Sequence, residues 1–110
     1  MFEKKKKDSD LEMFTVYDSK TDSYRDPLFA VNSLDVLREF QNAFQDPDAP
    51  KKNSYFKNAE DFSLFKIGSY HRKTGLCEAH QPTHVVNFHE LKAQALRENA
   101  RNMSPGIVPT

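Results

Sequence analysis

The chain has 110 residues, 37% of them hydrophobic and 29% charged, and its sixteen basic and sixteen acidic side chains give a formal net charge of zero. This length predicts one domain. The sequence has no apolar run near 18 residues, and no apolar segment follows the basic stretch from Lys4 to Lys7, so neither a membrane span nor a secretory signal is expected. Its one cysteine, Cys77, excludes an intramolecular disulfide and is consistent with a reducing cytoplasm.

The first part of the chain predicts a disordered arm followed by two strands. Residues 1–11 are charged and polar and offer little to bury. Apolar residues alternate over 12–18, which is typical of a strand, and a polar turn leads to a second strand over 24–31. Pro27 has no N–H group to donate, so the second strand is expected at a sheet edge or with a bulge.

A helix and a long loop are predicted next. Asn32 is a candidate N-cap, with Asp35 three residues further on, and Pro47 is expected to end the helix. Residues 46–58 contain two prolines and few apolar side chains, which favours a loop of the kind that often carries function. One apolar stripe at helical spacing consists of Leu34, Leu37, Phe40 and Phe44.

The second half predicts a β-hairpin and a C-terminal helix. Strands are expected over 62–70 and 76–80, joined by a turn over 71–75 in which Gly75 can adopt a positive φ. A break at Pro82, a helix over 88–103 and a frayed end over 104–110 follow. The fold class is therefore α+β, with a four-stranded antiparallel sheet in β-β-α-β-β order, one packed helix and a C-terminal helix on the rim or against another subunit.

Three regions are expected along the chain. They are an arm over 1–11, an α+β core over 12–80 and a helical extension over 81–110.

Within the core, alternation along the third strand predicts that Phe65 and Ile67 pack on the helix, while Lys66 and Tyr70 share the opposite face. Two further apolar residues on the Lys66 face, Phe62 and Leu64, would need a dimer partner, a second helix or nucleic-acid bases to cover them.

Metal binding and catalysis have weak support in the sequence. The spacing of Cys77, His80, His84 and His89 falls in the range used for zinc, but we interpret these residues as one buried thiol and three surface histidines, so neither a metal nor a cofactor is predicted. Glu60 and Asp61 are adjacent and would point to opposite faces of a strand. The sequence has no nucleophile motif and no phosphate-binding glycine loop, so we predict that the protein is not an enzyme.

Nucleic-acid binding has better support. Residues 8–48 hold ten acidic and three basic side chains, whereas residues 49–80 hold three acidic and six basic ones. Basic grooves with aromatic side chains hold single strands, and the Lys4–Lys7 arm would add phosphate contacts or be a solvated tail. The predicted DNA-binding residues are Lys66, Tyr70, Arg72, Lys73, Lys51, Lys52, Tyr55 and Lys57.

Three stretches carry a resemblance to a known family. They are VYDSK at 16–20, FAVN at 29–32 and AEDFSLFKIGSYHRKTG at 59–75. Together they resemble the small non-structural protein of gokushovirus-type microviruses, which are phages with circular single-stranded DNA. The basic arm and the histidine-bearing C-terminal extension depart from the compact form of that family. The matching positions, mostly structural in character, are Tyr17, Asp18, Lys20, Asn32, Asp61, Phe62, Leu64, Phe65, Gly68 and Gly75.

The resemblance implies a DNA-binding phage protein that supports single-stranded genome synthesis or packaging in the host cytoplasm, and it implies no catalytic residue. Read together with the residues, it favours a homo-oligomer that binds single-stranded DNA with little sequence preference. The alternative is a protein–protein adaptor that contacts a replication or capsid protein through the apolar face of Phe62 and Leu64 or through the C-terminal helix.

Overall fold

The computed structural model describes residues 10–103, and these form an antiparallel sheet with helices on one side. This confirms the predicted α+β class. The predicted frayed end at 104–110 lies outside the described residues, as does the predicted arm except for Asp10, which is buried, and Leu11, which begins the first strand. The elements are β1 (Leu11–Asp18), β2 (Ser23–Tyr24), β3 (Leu28–Ala30), α1 (Ser33–Gln45), α2 (Ala49–Lys52), α3 (Ser54–Lys57), a single 3-10 turn (Ala59–Asp61), β4 (Phe62–His71), β5 (Leu76–Asn87) and α4 (Phe88–Met103).

The sheet has the strand order β2-β1-β4-β5, and β3 also pairs with β1. The predicted second strand is therefore two short strands, interrupted at residues 25–27 around Pro27, which cannot donate to a strand ladder. The two pieces pair with opposite ends of β1, since Tyr24 pairs with Tyr17 and Leu28 pairs with Phe14. The edge position expected for this segment is confirmed.

Helix α1 forms as its sequence predicts. The side chain of Asn32 accepts a hydrogen bond from the Asp35 N–H at 2.8 Å, which caps the first turn. The helix ends at Gln45, two residues before Pro47. It buries Val36 and Phe44, whereas Leu34, the first residue of the predicted apolar stripe, is 66% exposed.

Residues 46–58 contain two four-residue helices, α2 and α3, joined by short turns, so the prediction of a long loop was wrong. Pro50 lies in the first turn of α2, where a missing N–H group does not interrupt the helix. The Asn53 side chain accepts hydrogen bonds from the N–H groups of Tyr55 and Phe56 and caps α3. Burial of Phe56 in the core holds these short helices in place, because helices of four residues are not stable alone.

Strand β5 continues to Asn87, so the break predicted at Pro82 was wrong. Lys66 pairs with Thr83 and Gly68 pairs with Ala79, which leaves residues 80–82 opposite Ile67 as a bulge. Because a bulge takes its residues out of the ladder, Pro82 is tolerated there. The predicted boundary between core and extension, at 80/81, therefore falls inside a strand.

The core lies between the sheet and the helices. Register pairs Val16 with Leu64 and Asp18 with Phe62, and directly opposed residues share a face of the sheet. We call this the helix-covered face, because helices α1, α3 and α4 pack their buried residues against it. The prediction for β4 was thus reversed: Phe62 and Leu64 are in the core. The buried hydrophobic residues are Phe14, Val16, Val36, Phe44, Ala49, Phe56, Ala59, Phe62, Leu64, Phe88, Leu91 and Ala95.

Helix α4 contributes centrally to that core. Phe88 is fully buried, and its ring centroid lies 4.9 Å from that of Phe40 and 5.2 Å from that of Tyr55. Leu91 and Ala95 follow at helical spacing and are also buried. The helix spans 88–103, as predicted, and packs within the domain instead of at its rim. Over residues 10–103, no helix has both the length and the apolar composition needed to cross a membrane.

Candidate nucleic-acid interface

Apart from Lys66, which lies in the middle of β4, the predicted DNA-binding residues lie near the two ends of this strand. Tyr55 in α3 contacts Phe62, the first residue of the strand, with a ring separation of 4.9 Å. Arg72 and Lys73 lie in the turn after His71, the last residue. A ten-residue strand is about 30 Å long, so the two groups do not form one patch.

The group on α2 and α3 is engaged in local contacts. The Tyr55 ring contacts the core rings of Phe62 and Phe88, and the Arg25 guanidinium lies 5.7 Å from its centroid. Lys52 Nζ lies 3.7 Å from the Asp48 carboxylate. Lys57 Nζ donates to the carbonyl of Lys51 at 3.3 Å. Tyr55 is therefore chiefly a packing residue, and the three lysines on α2 and α3 are exposed.

Lys66 and Tyr70 lie on opposite faces of the sheet, so the shared face predicted for them was wrong. Phe14 of β1 pairs with Lys66 and Met13 pairs with Gly68, so Ile67 is an extra residue in β4. An extra residue shifts every later side chain to the other face. Lys66 stays on the helix-covered face, where its Nζ lies 3.5 Å from Glu12 Oε2.

The opposite face of the sheet carries an aromatic row that the sequence analysis missed. We call this face the outer face, and the outer aromatic row consists of Tyr24, Tyr17, Phe65 and His84, one from each of β2, β1, β4 and β5. Tyr17 and Tyr24 have ring centroids 5.0 Å apart, Tyr24 and Phe65 5.8 Å, and Phe65 and His84 5.5 Å. Tyr24 is 49% exposed and Phe65 is half-buried, so the row presents aromatic surface to solvent.

Hydrogen bonds hold two rings of the row in place, the Tyr17 ring on β1 and the His84 ring at the β5 end. The Tyr17 hydroxyl donates to the Asp22 carboxylate, and this bond raises the pKa of Tyr17. Asp22 has a φ of 54°, a left-handed conformation that Asp tolerates in turns. At the β5 end, Asn87 Oδ1 lies 2.8 Å from His84 Nε2 and accepts from the Ser63 hydroxyl at 2.8 Å. The row is thus a preorganised surface.

A second apolar feature lies further along the outer face, toward the β4–β5 turn. Leu11, Phe29 and Tyr70 line a concavity of about 310 Å³, which we call the outer pocket. The rings of Phe29 and Tyr70 meet edge to face at 6.0 Å, and Phe29 is 48% exposed. Tyr70 lies five residues beyond Phe65, or about 16 Å along the strand.

Charged side chains hold the adjacent turn from the helix-covered side. His71 Nδ1 lies 3.2 Å from Asp10 Oδ2, and His71 Nε2 lies 3.1 Å from Glu78 Oε1. The Glu78 carboxylate, and after it the Asp10 carboxylate, raise the pKa of His71 against the opposing effect of desolvation. Asp10 Oδ1 also accepts from the Arg72 N–H at 3.2 Å. These contacts fix the turn and leave the Arg72 and Lys73 side chains exposed.

The cysteine and the three histidines with zinc-like spacing are dispersed. Cys77 is exposed on β5 opposite Tyr70, which corrects the buried thiol of the sequence analysis. His80 lies in the bulge, His84 in the outer aromatic row and His89 on α4, all of them exposed. In the part of the chain that the structure describes, no three His, Cys, Asp or Glu side chains are placed to hold a metal ion.

Part of the outer face could have been found in the sequence. Tyr17 and Tyr24 flank a polar turn at hairpin spacing, which predicts that their rings meet across two strands. The bulge at Ile67, in contrast, leaves no composition signal, and without it Tyr70 is assigned to the wrong face.

Comparisons with known proteins give one match. The family model described as phage ORF5 protein matches residues 11–91, which run from β1 into α4 and include the outer aromatic row and the outer pocket. Searches of curated proteins and of solved structures find no match.

Proposed function

The chain belongs to the phage ORF5 protein family, and on that premise we propose that it binds single-stranded DNA, with little sequence preference, in support of phage genome synthesis or packaging. The phage would be of the gokushovirus type, and the site of action the host cytoplasm. The proposed role is non-catalytic and requires no cofactor.

One observation carries the proposal: an aromatic row crosses four strands on the face of the sheet that the helices leave open. Every base has a flat aromatic face, so stacking on such rings is independent of sequence and contributes about 1–3 kcal/mol per base. A duplex buries those base faces in its own stack, so the same surface favours single strands. Tyr24 and Phe65 offer the ring surface, and their hydrogen-bonded neighbours hold it in place.

Exposed cations near this face supply the electrostatic part of the proposal. Arg72 and Lys73 lie in the turn at one end of the sheet, and Lys20 lies in the turn after β1 at the other. Cations in such places contact phosphates without reading sequence. Lys51, Lys52 and Lys57 are exposed on α2 and α3, away from the Arg72 turn, and would contact flanking nucleotides.

Self-association forms part of the proposal. Strand β5 is at the edge of the sheet, and Glu78 is the one residue in it that belongs to the charged types Asp, Glu, Lys and Arg. Edge strands that pair poorly with other chains usually carry charges, prolines or bulges, and in β5 the bulge and Pro82 are confined to residues 80–82. A second copy pairing along β5 would extend the sheet and the aromatic surface to a longer stretch of DNA.

The test is fluorescence anisotropy of a labelled single-stranded oligonucleotide, with a duplex of the same length as the comparison, at low and moderate salt. We expect salt-sensitive binding that favours the single strand, because bound cations release counterions from the phosphates. The variant Arg72→Glu/Lys73→Glu should bind more weakly and lose part of the salt dependence. No binding of the unmodified protein at low salt would overturn the proposal.

The adaptor function is a second candidate that a different surface favours. Leu34, Leu37, Val86 and Leu91 line a groove of about 400 Å³ between α1, α4 and β5, together with Arg38, Gln41 and Gln94. Leu34 is 66% exposed there, and exposed apolar grooves often mark protein contacts. The Phe62–Leu64 contact first considered for an adaptor is ruled out because both side chains are in the core.

A further inference from the structure

The outer pocket is large enough to take one flat ring. Its walls are the apolar side chain of Leu11 and the two rings of Phe29 and Tyr70. The volume, about 310 Å³, is at the lower end of the range of small-molecule sites, which runs from about 300 to 1,000 Å³. Phe29 is 48% exposed, so part of its ring is available to a ligand.

Charge distribution around the pocket favours an anionic ligand. The acidic groups at this end of the sheet lie on the helix-covered face, where Glu12 pairs with Lys66 and Asp10 and Glu78 contact His71. On the outer face, Tyr70 pairs with Leu11 on one side and with Cys77 on the other. The side chains of β1, β4 and β5 next to the pocket at this level of the sheet therefore carry no acidic group. Arg72 and Lys73 follow Tyr70 by two and three residues, which places them within about 7–10 Å along the chain.

From these placements we infer that the outer pocket holds one unstacked nucleobase of a DNA single strand, with the flanking phosphate on Arg72 and Lys73. The inference rests on the proposed function and adds a defined subsite to it. A base held in a duplex cannot enter, because its faces and edges are occupied. The pocket would therefore add to the preference for single strands that the outer aromatic row provides.

The structure offers a matched pair of variants for the test. Phe29→Ala removes a half-exposed ring from the pocket wall. Leu76→Ala, the control, removes an exposed apolar side chain from the same end of the sheet, and Leu76 pairs with His71, whose side chain lies on the helix-covered face. The affinity for a single-stranded oligonucleotide should fall at least about fivefold in Phe29→Ala, the lower end of the effect of one lost base stack, and stay unchanged in Leu76→Ala.

A second measurement uses the unmodified protein and a mononucleotide, thymidine monophosphate, followed by NMR. The ring resonances of Phe29 and Tyr70 are expected to shift on titration, while that of the buried Phe44 stays in place. This measurement does not depend on the fold of any variant, nor on the affinity for long DNA.

The outcomes separate this inference from the proposed function. Oligonucleotide binding that Phe29→Ala leaves unchanged would overturn the pocket and leave the function standing. If the unmodified protein binds no oligonucleotide, the proposed function is overturned. The mononucleotide titration would then show by itself whether the outer pocket binds a base. A dimer in sedimentation velocity that Phe29→Ala dissociates, with no shift on adding the mononucleotide, would show that a second copy occupies the pocket and would overturn the inference.

Discussion

The two faces of this sheet carry similar side chains in different surroundings. On the helix-covered face, Phe14, Leu64 and Phe62 are at most 5% exposed and pack against the rings of α1, α3 and α4. On the outer face, Tyr24 and Phe29 are about half exposed, and the rings contact one another across strands. Residues of one type therefore contribute stability on one side and remain available for ligands on the other.

Substitutions on the two faces are therefore expected to act differently, on stability at the helix-covered face and on binding at the outer face. A buried large side chain contributes about 1.5–3 kcal/mol to folding, whereas an exposed cross-strand ring pair contributes about 0.2–1 kcal/mol. Outer-face rings can then be changed for binding experiments while the fold is retained.

The largest expected effect is on the helix-covered face. Phe88 is fully buried among Phe40, Phe44, Tyr55 and Phe62, and Phe88→Ala should lower the free energy of unfolding by about 3–5 kcal/mol. Urea denaturation measures this. The matched change on the outer face, Phe29→Ala, should lower it by about 1 kcal/mol or less, and equal losses in the two variants would contradict the difference between the faces.

A smaller loss is expected where β4 and β5 approach each other closely. A Cβ atom at Gly68 would lie 2.3 Å from the carbonyl oxygen of Glu78, so the two backbones would have to move apart. Gly68→Ala should therefore lower the free energy of unfolding by about 1–3 kcal/mol and weaken DNA binding, because Tyr70 and the turn depend on this pairing. The control is Ser69→Ala, which adds no atom, and both are measured by thermal denaturation and anisotropy. If Gly68→Ala is as stable as the unmodified protein and its β5 amides exchange at the same rate, the backbones of β4 and β5 are further apart at Gly68 than the 2.3 Å contact requires.

The helix layer offers a change that should affect stability alone. Asn32→Ala removes the side chain that caps α1 and should lower the free energy of unfolding by about 1 kcal/mol. Asn32→Asp retains an acceptor at the cap and serves as the control. DNA affinity should be the same in all three proteins; a large change in affinity for Asn32→Ala would show that the helix layer takes part in binding.

The smallest effect is a pH dependence at the hairpin turn. The pKa of folded His71 is raised by Glu78 and Asp10, so its contribution to stability is fully present below the unfolded pKa, about 6.5, and is lost as pH rises through the folded pKa. The stability difference between the unmodified protein and His71→Gln should thus be larger at pH 5.5 than at pH 9. His80→Gln, a change at an exposed histidine, is the control, and a difference that is constant with pH would contradict the ion pairs.

Local signals predicted much of this fold from the sequence. The cap at Asn32, the stop before Pro47 and the bounds of α4 depend on residues close in the chain, and they form as expected. The turn with Gly75, which has a φ of 75°, is another such signal. Each of these features depends on local backbone chemistry, so a single sequence is sufficient to predict it.

The candidate site was harder to predict because it depends on which face each side chain occupies. Strand β4 has Phe62 and Leu64 on one parity and Phe65 and Ile67 on the other, so alternation alone gives no preference for a face. The choice is made by the register with β1 and by the bulge at Ile67, which are long-range features. The resemblance to gokushovirus proteins did include Tyr17 and Phe65, the two rings at the centre of the outer aromatic row.

The most direct test of the separation between the faces is an NMR titration of the protein with a short thymidine oligonucleotide, read at the ring protons. Shifts are expected for Tyr17, Tyr24 and Phe65 on the outer face, while the resonances of Phe44 and Phe88 in the core stay in place. If the outer rings do not shift while the oligonucleotide binds, or if nothing shifts at all, the outer face is not the nucleic-acid interface.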